Sequence, residues 1–376
     1  MAEPKFTIGI EEEYYLVDRE TRDLVKSRPR EMMAALEKKF KTQVVPEFIS
    51  SQIEVGTKVC KSVADAGRDL RRLRKALARE ADKHDMAIIA ASTHPFASWA
   101  TQSHTDKERY NILARDLQAV ARRLLISGMH VHVGVADDDL RIDLLNQVSY
   151  FLPHLLALST SSPFWRGKDT GLKSYRIAVF DELPRTGLPE QFESWGEYQR
   201  HVNVLTQAGV IDNASKLWWD VRPSARFPTL EVRIADIPTL VEDTVSIAAI
   251  YLCLLRMLYR LRRQNQRWRK YANMLISENR WRAQRYGFDS GLVDFGKGEI
   301  VPYAGLLEEI IEMIGEDAAY FGCEPEVEHA RTILQRGTSA HRQLALYNEK
   351  REQGADKLEA LREVVDHLIE ETIAGL

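Results

Sequence analysis

Residues 6–18 read FTIGIEEEYYLVD, a run rich in β-branched and aromatic residues with three consecutive glutamates. The run has no helical period, so it predicts a β-strand. Side chains of a strand alternate between its two faces, which places Glu11 and Glu13 on the same face. The stretch therefore predicts a strand that presents two carboxylates side by side.

Three later segments repeat this two-residue spacing of polar side chains on predicted strands. They are FISSQIEV (48–55) with Gln52 and Glu54, MHVHVGV (129–135) with His130 and His132, and TLEVRI (229–234) with Glu231 and Arg233. The residues between the polar positions are apolar and point the other way. Four such strands predict a sheet with one apolar face packed on helices and one polar, functional face.

Each pair taken alone has a structural explanation. An acidic triplet is typical of a solvated strand edge, two histidines around a valine are often structural, and Glu-x-Arg often forms a cross-strand ion pair. Together, so many carboxylates on one face would repel each other without a countercharge. Oxygen-rich clusters suit hard divalent cations, chiefly Mg²⁺, with Mn²⁺ as a substitute, and a histidine still fits such a site.

The remaining chain alternates helices with strands without a strict βαβ rhythm, which indicates an α+β fold with a largely antiparallel sheet. The pattern predicts a strand around 44–55, helices over 62–85, 106–127, 138–161 and 240–262, a strand over 86–92 and only helices after about 300. Ser62 with Asp65 gives a capping-box variant at the start of the first of these helices.

Composition narrows the class of protein. The 376 residues carry a formal net charge of −3, so binding to nucleic acid is not expected. Three separated cysteines argue against a disulfide framework and favour a reducing compartment. The apolar run 245–261 is interrupted by Arg256 and indicates a buried helix rather than a membrane span. We therefore expect a cytoplasmic protein with neither nucleic-acid nor membrane partners.

The sequence contains no Walker A motif, no GxGxxG before a helix, no GxSxG and no HExxH. A bound nucleotide would therefore be held by metal ions that bridge its phosphates, with arginine side chains as clamps. The candidate arginines are Arg176, Arg185, Arg222, Arg233, Arg282 and Arg285.

Several segments resemble, in order, the carboxylate–amine ligase family, also called type 2 glutamate–cysteine ligases of the YbdK type. They are FTIGIEEEYYLVD (6–18), STHPF (92–96), GMHVHVGV (128–135), LSTSSPFWRG (158–167), LWWDVRPSARFPTLEVRIADIP (217–238) and ENRWRAQRYGFD (278–289). The combination is highly specific, although no single segment is. The helical C-terminal stretch adds little to the resemblance.

The resemblance implies a glutamine-synthetase-like fold, in which a curved antiparallel sheet forms an active-site funnel with helices on its outer face. It implies a catalytic domain over 1–295, followed by a helical segment over 296–376 packed on the same domain. It also implies ATP as co-substrate and two or three Mg²⁺ ions between ATP and the sheet, with a homodimer as a possible assembly.

Roles for individual residues follow from the same resemblance. Metal ligands are expected at Glu11, Glu13, His132 and Glu231, with His130 beside metal or phosphate. Glu54 is expected at metal or at a substrate amino group, and Arg233 at phosphate, both as catalytic residues. Further substrate or nucleotide contacts are expected from Arg176, Arg222 and Arg282.

The implied activity is ATP-dependent formation of a γ-glutamyl-type amide from a small, glutamate-like carboxylic acid and an amine through an acyl phosphate. Glutamate–cysteine ligase activity would then be one form of it. A phosphotransferase on the same fold that phosphorylates a guanidino or carboxyl group is the first alternative. A non-catalytic binding protein is the second, and the presence of all the acidic and histidine pairs argues against it.

Overall fold

The strands of the protein form one large sheet and three small ones. A computed structural model describes residues 4–376. Within them the strands are β1 (Ile8–Asp18), β2 (Val44–Pro46), β3 (Gln52–Gly56), β4 (Met86–Ile89), β5 (Met129–Gly134), β6 (Phe164–Trp165), β7 (Lys168–Asp169), β8 (Thr186–Gly187), β9 (Trp218–Trp219), β10 (Val221–Pro223), β11 (Thr229–Val232), β12 (Leu292–Asp294) and β13 (Glu299–Val301).

Helices occupy most of the remaining chain. They are α1 (Arg30–Phe40), α2 (Val63–Asp82), α3 (Glu108–Leu117), α4 (Ala119–Arg122), α5 (Asp138–Val148), α6 (Leu152–Ser159), α7 (Tyr175–Phe180), α8 (Trp195–Gln207), α9 (Val241–Arg263), α10 (Asn273–Tyr286), α11 (Tyr303–Phe321), α12 (Glu324–Arg336), α13 (Ser339–Glu352) and α14 (Lys357–Ile373). Short 3₁₀ turns lie at Lys41–Gln43, Trp99–Thr101, Ser149–Phe151 and Ala214–Lys216.

The large sheet has seven strands in the order β10-β11-β5-β1-β3-β2, and β4 pairs with the far half of β1. Every pairing in it is antiparallel. This confirms the predicted α+β class with an antiparallel sheet. β1 is the central strand because its eleven residues pair with three different strands. The register places Glu13 opposite Glu54 and Glu11 opposite His130, so polar side chains from separate parts of the sequence share one face.

The other face of the sheet packs on helices. Ile10 and Tyr14 of β1 and Val131 of β5 are buried in the main core together with residues of α2 and α9. The exception among these apolar side chains is Glu12, which is fully buried on this face. Its carboxylate pairs with the equally buried Arg74 of α2 at 2.6 Å. A charged group at the centre of β1 thus ties the strand to the helix behind it.

Helix α9 forms the middle of the main core, as expected for the apolar run 245–261. Its length and mean hydropathy would suffice for a membrane span, but 83% of its most apolar window is buried inside the protein. The C-terminal helices α11 and α12 add residues such as Leu307 and Ile333 to the same core. α14 contributes Leu361 and Leu368 to a second core near β4.

Three predicted elements are interrupted in the structure. The strand expected over 44–55 is two antiparallel strands, β2 and β3, joined by a turn. The helix expected over 106–127 divides into α3 and α4 at Gln118, whose φ of 49° is incompatible with a right-handed helix. The helix expected over 138–161 divides into α5 and α6 around the 3₁₀ turn at Ser149–Phe151. The capped helix at Ser62 is confirmed, since Ser62 accepts a hydrogen bond from the Asp65 amide at 3.1 Å.

Candidate functional site

A cavity of about 610 Å³ lies over the polar face of the sheet. Nine of the ten candidate site residues line it: Glu11, Glu13, Glu54, His130, His132, Arg176, Arg222, Glu231 and Arg233. They come from β1, β3, β5, β10, the end of β11 and α7, which are far apart in the sequence. The period-two spacing on each strand and the antiparallel register bring them together.

A cluster of three carboxylates occupies one end of the polar face. Glu13 and Glu54 are cross-strand partners, and Glu47 joins them from the turn after β2. One oxygen from each side chain can be chosen so that all three lie within 4.8 Å of one another. Three carboxylates at this separation form an acidic pocket that could hold a cation.

Burial and mutual repulsion change the acidity of this cluster. Burial, followed by the charge of Glu47, raises the pKa of Glu13 to about 7. Burial, followed by the charges of Glu11, Glu47 and Glu13, raises the pKa of Glu54 well above its usual value. A divalent cation would offset the repulsion that produces these shifts.

Glu11 and two histidines form the middle of the polar face. His130 Nδ1 lies 3.4 Å and His132 Nε2 lies 3.5 Å from oxygens of Glu11. Burial alone would raise the Glu11 pKa, but the two histidine contacts outweigh it and hold that pKa well below its usual value. The other nitrogen of His132 shares a 2.9 Å hydrogen bond with the Thr229 hydroxyl, which fixes the orientation of the ring.

Glu231 stands between two arginines at the other end of the polar face. Arg222 donates to both of its oxygens at 3.0 and 3.2 Å, and Arg233 donates to Oε1. These guanidinium groups outweigh the effect of burial and lower the pKa of Glu231. His132 Nε2 lies 3.9 Å from Glu231 Oε2, so the Arg-paired carboxylate still faces the middle of the site.

Arg176 lies on α7, and its side chain lines the cavity. Its guanidinium donates to the backbone carbonyls of Ile234 at 3.2 Å and Arg233 at 3.0 Å, while its buried Nε has no hydrogen-bond partner among the residues that the structure describes. The approach is possible because residue 128 is glycine, where an added Cβ would lie 2.4 Å from Nη2 of Arg176. Gly128 N also donates to Glu13 at 2.8 Å, so one residue supports two candidate site groups.

The segment 158–167 acts mainly as a support for this arginine. Asp236 accepts hydrogen bonds from Ser161 N at 2.9 Å, Ser162 Oγ at 2.7 Å and Ser174 Oγ at 2.8 Å. Ser162 Oγ in turn accepts from the backbone amide of Arg176 at 3.1 Å. The serines thus fix the start of α7 against the chain that follows β11.

Arg282 lies outside the cavity, so a direct contact with substrate or phosphate is not supported at this position. Its guanidinium donates to the carbonyls of Gly291 at 3.1 Å and Ser290 at 2.6 Å. Two residues earlier on α10, Arg280 is buried and pairs with Asp220 at 2.6 Å and Asp181 at 2.7 Å. Helix packing therefore turns the basic side chains of 278–289 towards structural partners.

Glu47 is a carboxylate of the acidic cluster that the strand pattern did not predict. It follows Pro46 at the end of β2 and has no polar partner at spacing two on a strand. Only the β2–β3 turn brings it to Glu13 and Glu54. The one feature of the sequence that could have indicated Glu47 was its position within the predicted strand 44–55, which also carries Gln52 and Glu54.

One side of the cavity is hydrophobic. We call Phe48, Leu113, Leu117, Leu124, Phe180 and Trp218 the apolar wall; all six line the cavity. A second cavity of about 440 Å³, the side compartment, adjoins at Ser224, Arg226 and Phe227 and is lined further by Trp195 and Tyr198. The site therefore has a charged floor and two separate hydrophobic regions.

The donor set of the floor fits Mg²⁺. Oxygens bound about 2.1 Å from one Mg²⁺ can be up to about 4.2 Å apart, and the oxygens of Glu13, Glu47 and Glu54 need only a small shift to meet this. Next on the floor, His132 Nε2 lies 3.5 Å from Glu11 and 3.9 Å from Glu231, so an imidazole stands between two further carboxylates. Mg²⁺ and Mn²⁺ accept such oxygen-rich sets.

Comparison with known sequences identifies relatives over the whole chain. Residues 7–367 match the profile of glutamate-cysteine ligase family 2 (GCS2). A protein of Rhodospirillum rubrum that carries the provisional name glutamate–cysteine ligase 2 is 64% identical over 380 residues, covering 100% of this chain and 98% of its own length.

Solved structures with the same fold are distant in sequence. A glutamate–cysteine ligase from Francisella tularensis in complex with AMP has a TM-score of 0.71 and 14% identity, over 100% of this chain and 90% of that one. A bifunctional glutathione synthetase from Pasteurella multocida has a TM-score of 0.69 and 16% identity, over 98% of this chain. This chain spans about half of that longer protein, 52%. At these identities the likeness concerns the fold alone.

Proposed function

The chain belongs to glutamate-cysteine ligase family 2, a family of ATP-dependent carboxylate–amine ligases, and from this premise we propose that its polar sheet face makes an amide from a glutamate-like acid and an amine. The observation that supports the proposal is the cavity floor. Carboxylates, histidines and arginines from six elements converge on one space large enough for small substrates.

The chemistry explains why such a floor is needed. The oxygen of a carboxylate is a poor leaving group, so ATP first transfers its γ-phosphoryl group to it and gives an acyl phosphate and ADP. Negative charge spreads over the transferred phosphoryl oxygens, and fixed cations stabilise it. We assign this role to Arg233 and Arg222, and the assignment is supported by Glu231, which holds both guanidinium groups in position.

Mg²⁺ bound to the carboxylates would neutralise and orient the phosphates. We assign Glu13, Glu47 and Glu54 to one ion and Glu11, His132 and Glu231 to another, with His130 as the partner that orients Glu11. Arg176 lies beside Glu13, and within the described part of the chain its Nε has no hydrogen-bond partner, so we assign it to an oxygen of the acid substrate or of the transferred phosphoryl group.

The amine completes the reaction by attacking the acyl carbon, after which phosphate leaves. Before the attack, a carboxylate of the floor binds the ammonium group and accepts one of its protons.

The cellular location follows from the cysteines and the charge. Cys60, Cys253 and Cys323 are free and buried, which fits a reducing compartment, and we propose the cytoplasm. The net charge of −3 fits small-molecule rather than nucleic-acid partners.

The test is release of ADP that requires an acid, an amine and Mg²⁺ together, with the product identified by mass. We expect Glu13→Gln and Glu47→Gln to lower kcat at least about 100-fold while the circular dichroism spectrum stays unchanged. Glu299→Gln, an exposed carboxylate on β13, is the matched control and should keep full activity. Full activity in both cavity variants would refute the assignment, and ADP release without amine would favour a phosphotransferase.

A further inference from the structure

The apolar wall gives the cavity a region that the phosphoryl-transfer chemistry does not use. Leu113, Leu117, Leu124 and Trp218 are only partly buried, although they belong to the second hydrophobic core. All four line the cavity, so part of their exposed surface faces it. Apolar surface kept open in a charged site is expected to meet an apolar part of a ligand.

The wall begins where the acidic cluster ends. Phe48 directly follows Glu47, and its ring packs edge-on against Tyr110 with centroids 5.6 Å apart. At Phe180, another residue of the wall, the Arg176 guanidinium lies 5.4 Å from the ring centre. A cationic ligand resting on the wall would therefore have its charged end at Glu47 and Glu54, while Arg176 stays with the acid or phosphoryl oxygen.

The nucleotide base has a different place available. The phosphate-facing arginines Arg222 and Arg233 are at the β10–β11 end of the floor, next to Glu231. From there the cavity continues past Arg226 and Phe227 into the side compartment with Trp195 and Tyr198. Aromatic side chains stack on nucleobases, so the side compartment offers the adenine of a nucleotide at these arginines a place apart from the apolar wall.

We propose that the apolar wall binds the second substrate, and that this substrate is a primary amine with a bulky apolar group. The inference rests on the ligase function proposed above. The amine's ammonium group lies at the oxygens of Glu47 and Glu54 that do not bind the ion, and its hydrocarbon or aromatic part covers Leu113, Leu117 and Phe48. A small polar amine such as cysteine would leave most of this surface exposed to water.

The bond changes balance without another reactant. The ammonium group first loses a proton to a floor carboxylate, and the amine nitrogen then attacks the acyl carbon of the acyl phosphate. The new C–N bond forms as the C–O bond to phosphate breaks. The nitrogen gives its second proton to the departing phosphate, so amide and hydrogen phosphate are released, and the carboxylate returns the first proton to solvent. The apolar group takes no part in these steps and contributes by positioning the nitrogen.

The experiment compares amines as acceptors with ATP and Mg²⁺. Hydroxylamine, which is too small to need the wall, first identifies an acid that supports hydroxamate formation. With that acid, kcat/KM is measured for 2-phenylethylamine, isoamylamine, phenylalanine, leucine, glycine and cysteine. We expect apolar amines, with or without a carboxylate, to exceed glycine and cysteine at least tenfold, because one methylene in a fitted pocket is worth about that much.

Substitutions in the apolar wall test whether the wall causes the preference for apolar amines. Asparagine has nearly the shape of leucine but is polar, so Leu113→Asn and Leu117→Asn should lower kcat/KM for the preferred amine at least tenfold more than for hydroxylamine. Leu358→Asn, at an exposed leucine of α14, should give the same ratio of the two substrates as the unchanged protein.

The possible failures are distinguishable. If hydroxamate forms but cysteine or glycine is used as well as the apolar amines, the inference about the amine is wrong and the ligase function stands. If the wall variants lose both acceptors equally, the wall does not select the amine. If no acid gives hydroxamate, the proposed function fails and the inference fails with it.

Discussion

Removing the buried carboxylate of Glu12 should destabilise the protein strongly while leaving its chemistry largely intact. Glu12 and Arg74 are both fully buried, and their closest atoms are 2.6 Å apart. Arg74 also donates to the carbonyl of Thr239 at 2.7 Å and to that of Pro238 at 3.1 Å. Glu12→Gln keeps the shape of the side chain but leaves the guanidinium charge in the core without a countercharge.

The expected loss in the free energy of unfolding is about 3–5 kcal/mol, the usual cost of breaking one partner of a buried ion pair. The lower end is expected, because the carbonyls of Pro238 and Thr239 still accept from Arg74. An unfolding entropy of about 2.1 cal/mol/K per residue over 376 residues is about 0.8 kcal/mol/K. The Tm should therefore fall by about 4–6 °C.

Differential scanning calorimetry measures the change in Tm, and the assay of ADP release with acid and amine, run at 20 °C, measures activity. Glu308→Gln, which breaks an exposed pair with Arg331, should leave the Tm unchanged because solvent screens such pairs. Glu12 faces away from the cavity, so kcat should stay within a few-fold of the unchanged protein. An unchanged Tm, or a loss of activity as large as for Glu13→Gln, would refute the reasoning about the two faces of β1.

Two further outcomes are expected. Gly128→Ala should displace Arg176, because the added Cβ would lie 2.4 Å from its Nη2, and kcat should fall about 100-fold. Gly9→Ala on the neighbouring strand is the control and should keep its activity, since the nearest atom to its added Cβ is 3.8 Å away. Equal activity of the two variants would contradict this. Burial and Glu47 raise the pKa of Glu13 to about 7 from 4.5, so the folded protein gains stability from this group below pH 4.5 and loses it as pH rises through 7. In EDTA the Tm of the unchanged protein should fall as the pH rises from 4.5 to 8, and the Tm of Glu13→Gln should lack the part of this fall that comes from Glu13. Mg²⁺ should raise the Tm most at pH 8. A Tm that does not depend on Mg²⁺ at pH 8 would contradict the assignment of Glu13 to a metal ion.

The alternation of polar and apolar residues was sufficient to predict much of the site. Glu11, Glu13, His130 and His132 could be assigned to one face because the two-residue period of a strand is a local property of the backbone. The same reasoning predicted that the intervening residues point to the core, as Val131 does. Local sequence also predicted the cap at Ser62 and the buried helix α9.

Tertiary structure alone decided how these groups combine. The β2–β3 turn brings Glu47 to Glu13 and Glu54 and makes a carboxylate cluster that no spacing in the sequence indicates. The rotation of α10 about its axis directs Arg282 away from the cavity, although the segment is rich in arginines. The position of His132 between Glu11 and Glu231 likewise follows from strand register.

The sequence by itself therefore determined which strands are polar on one face, the class of fold and the family. The grouping of the carboxylates, the pairing of Glu231 with two arginines and the apolar wall were decided by long-range contacts. The physical reason is that backbone geometry sets the direction of a side chain within a few residues. The distance between two side chains depends on strand pairing and helix packing across the whole chain.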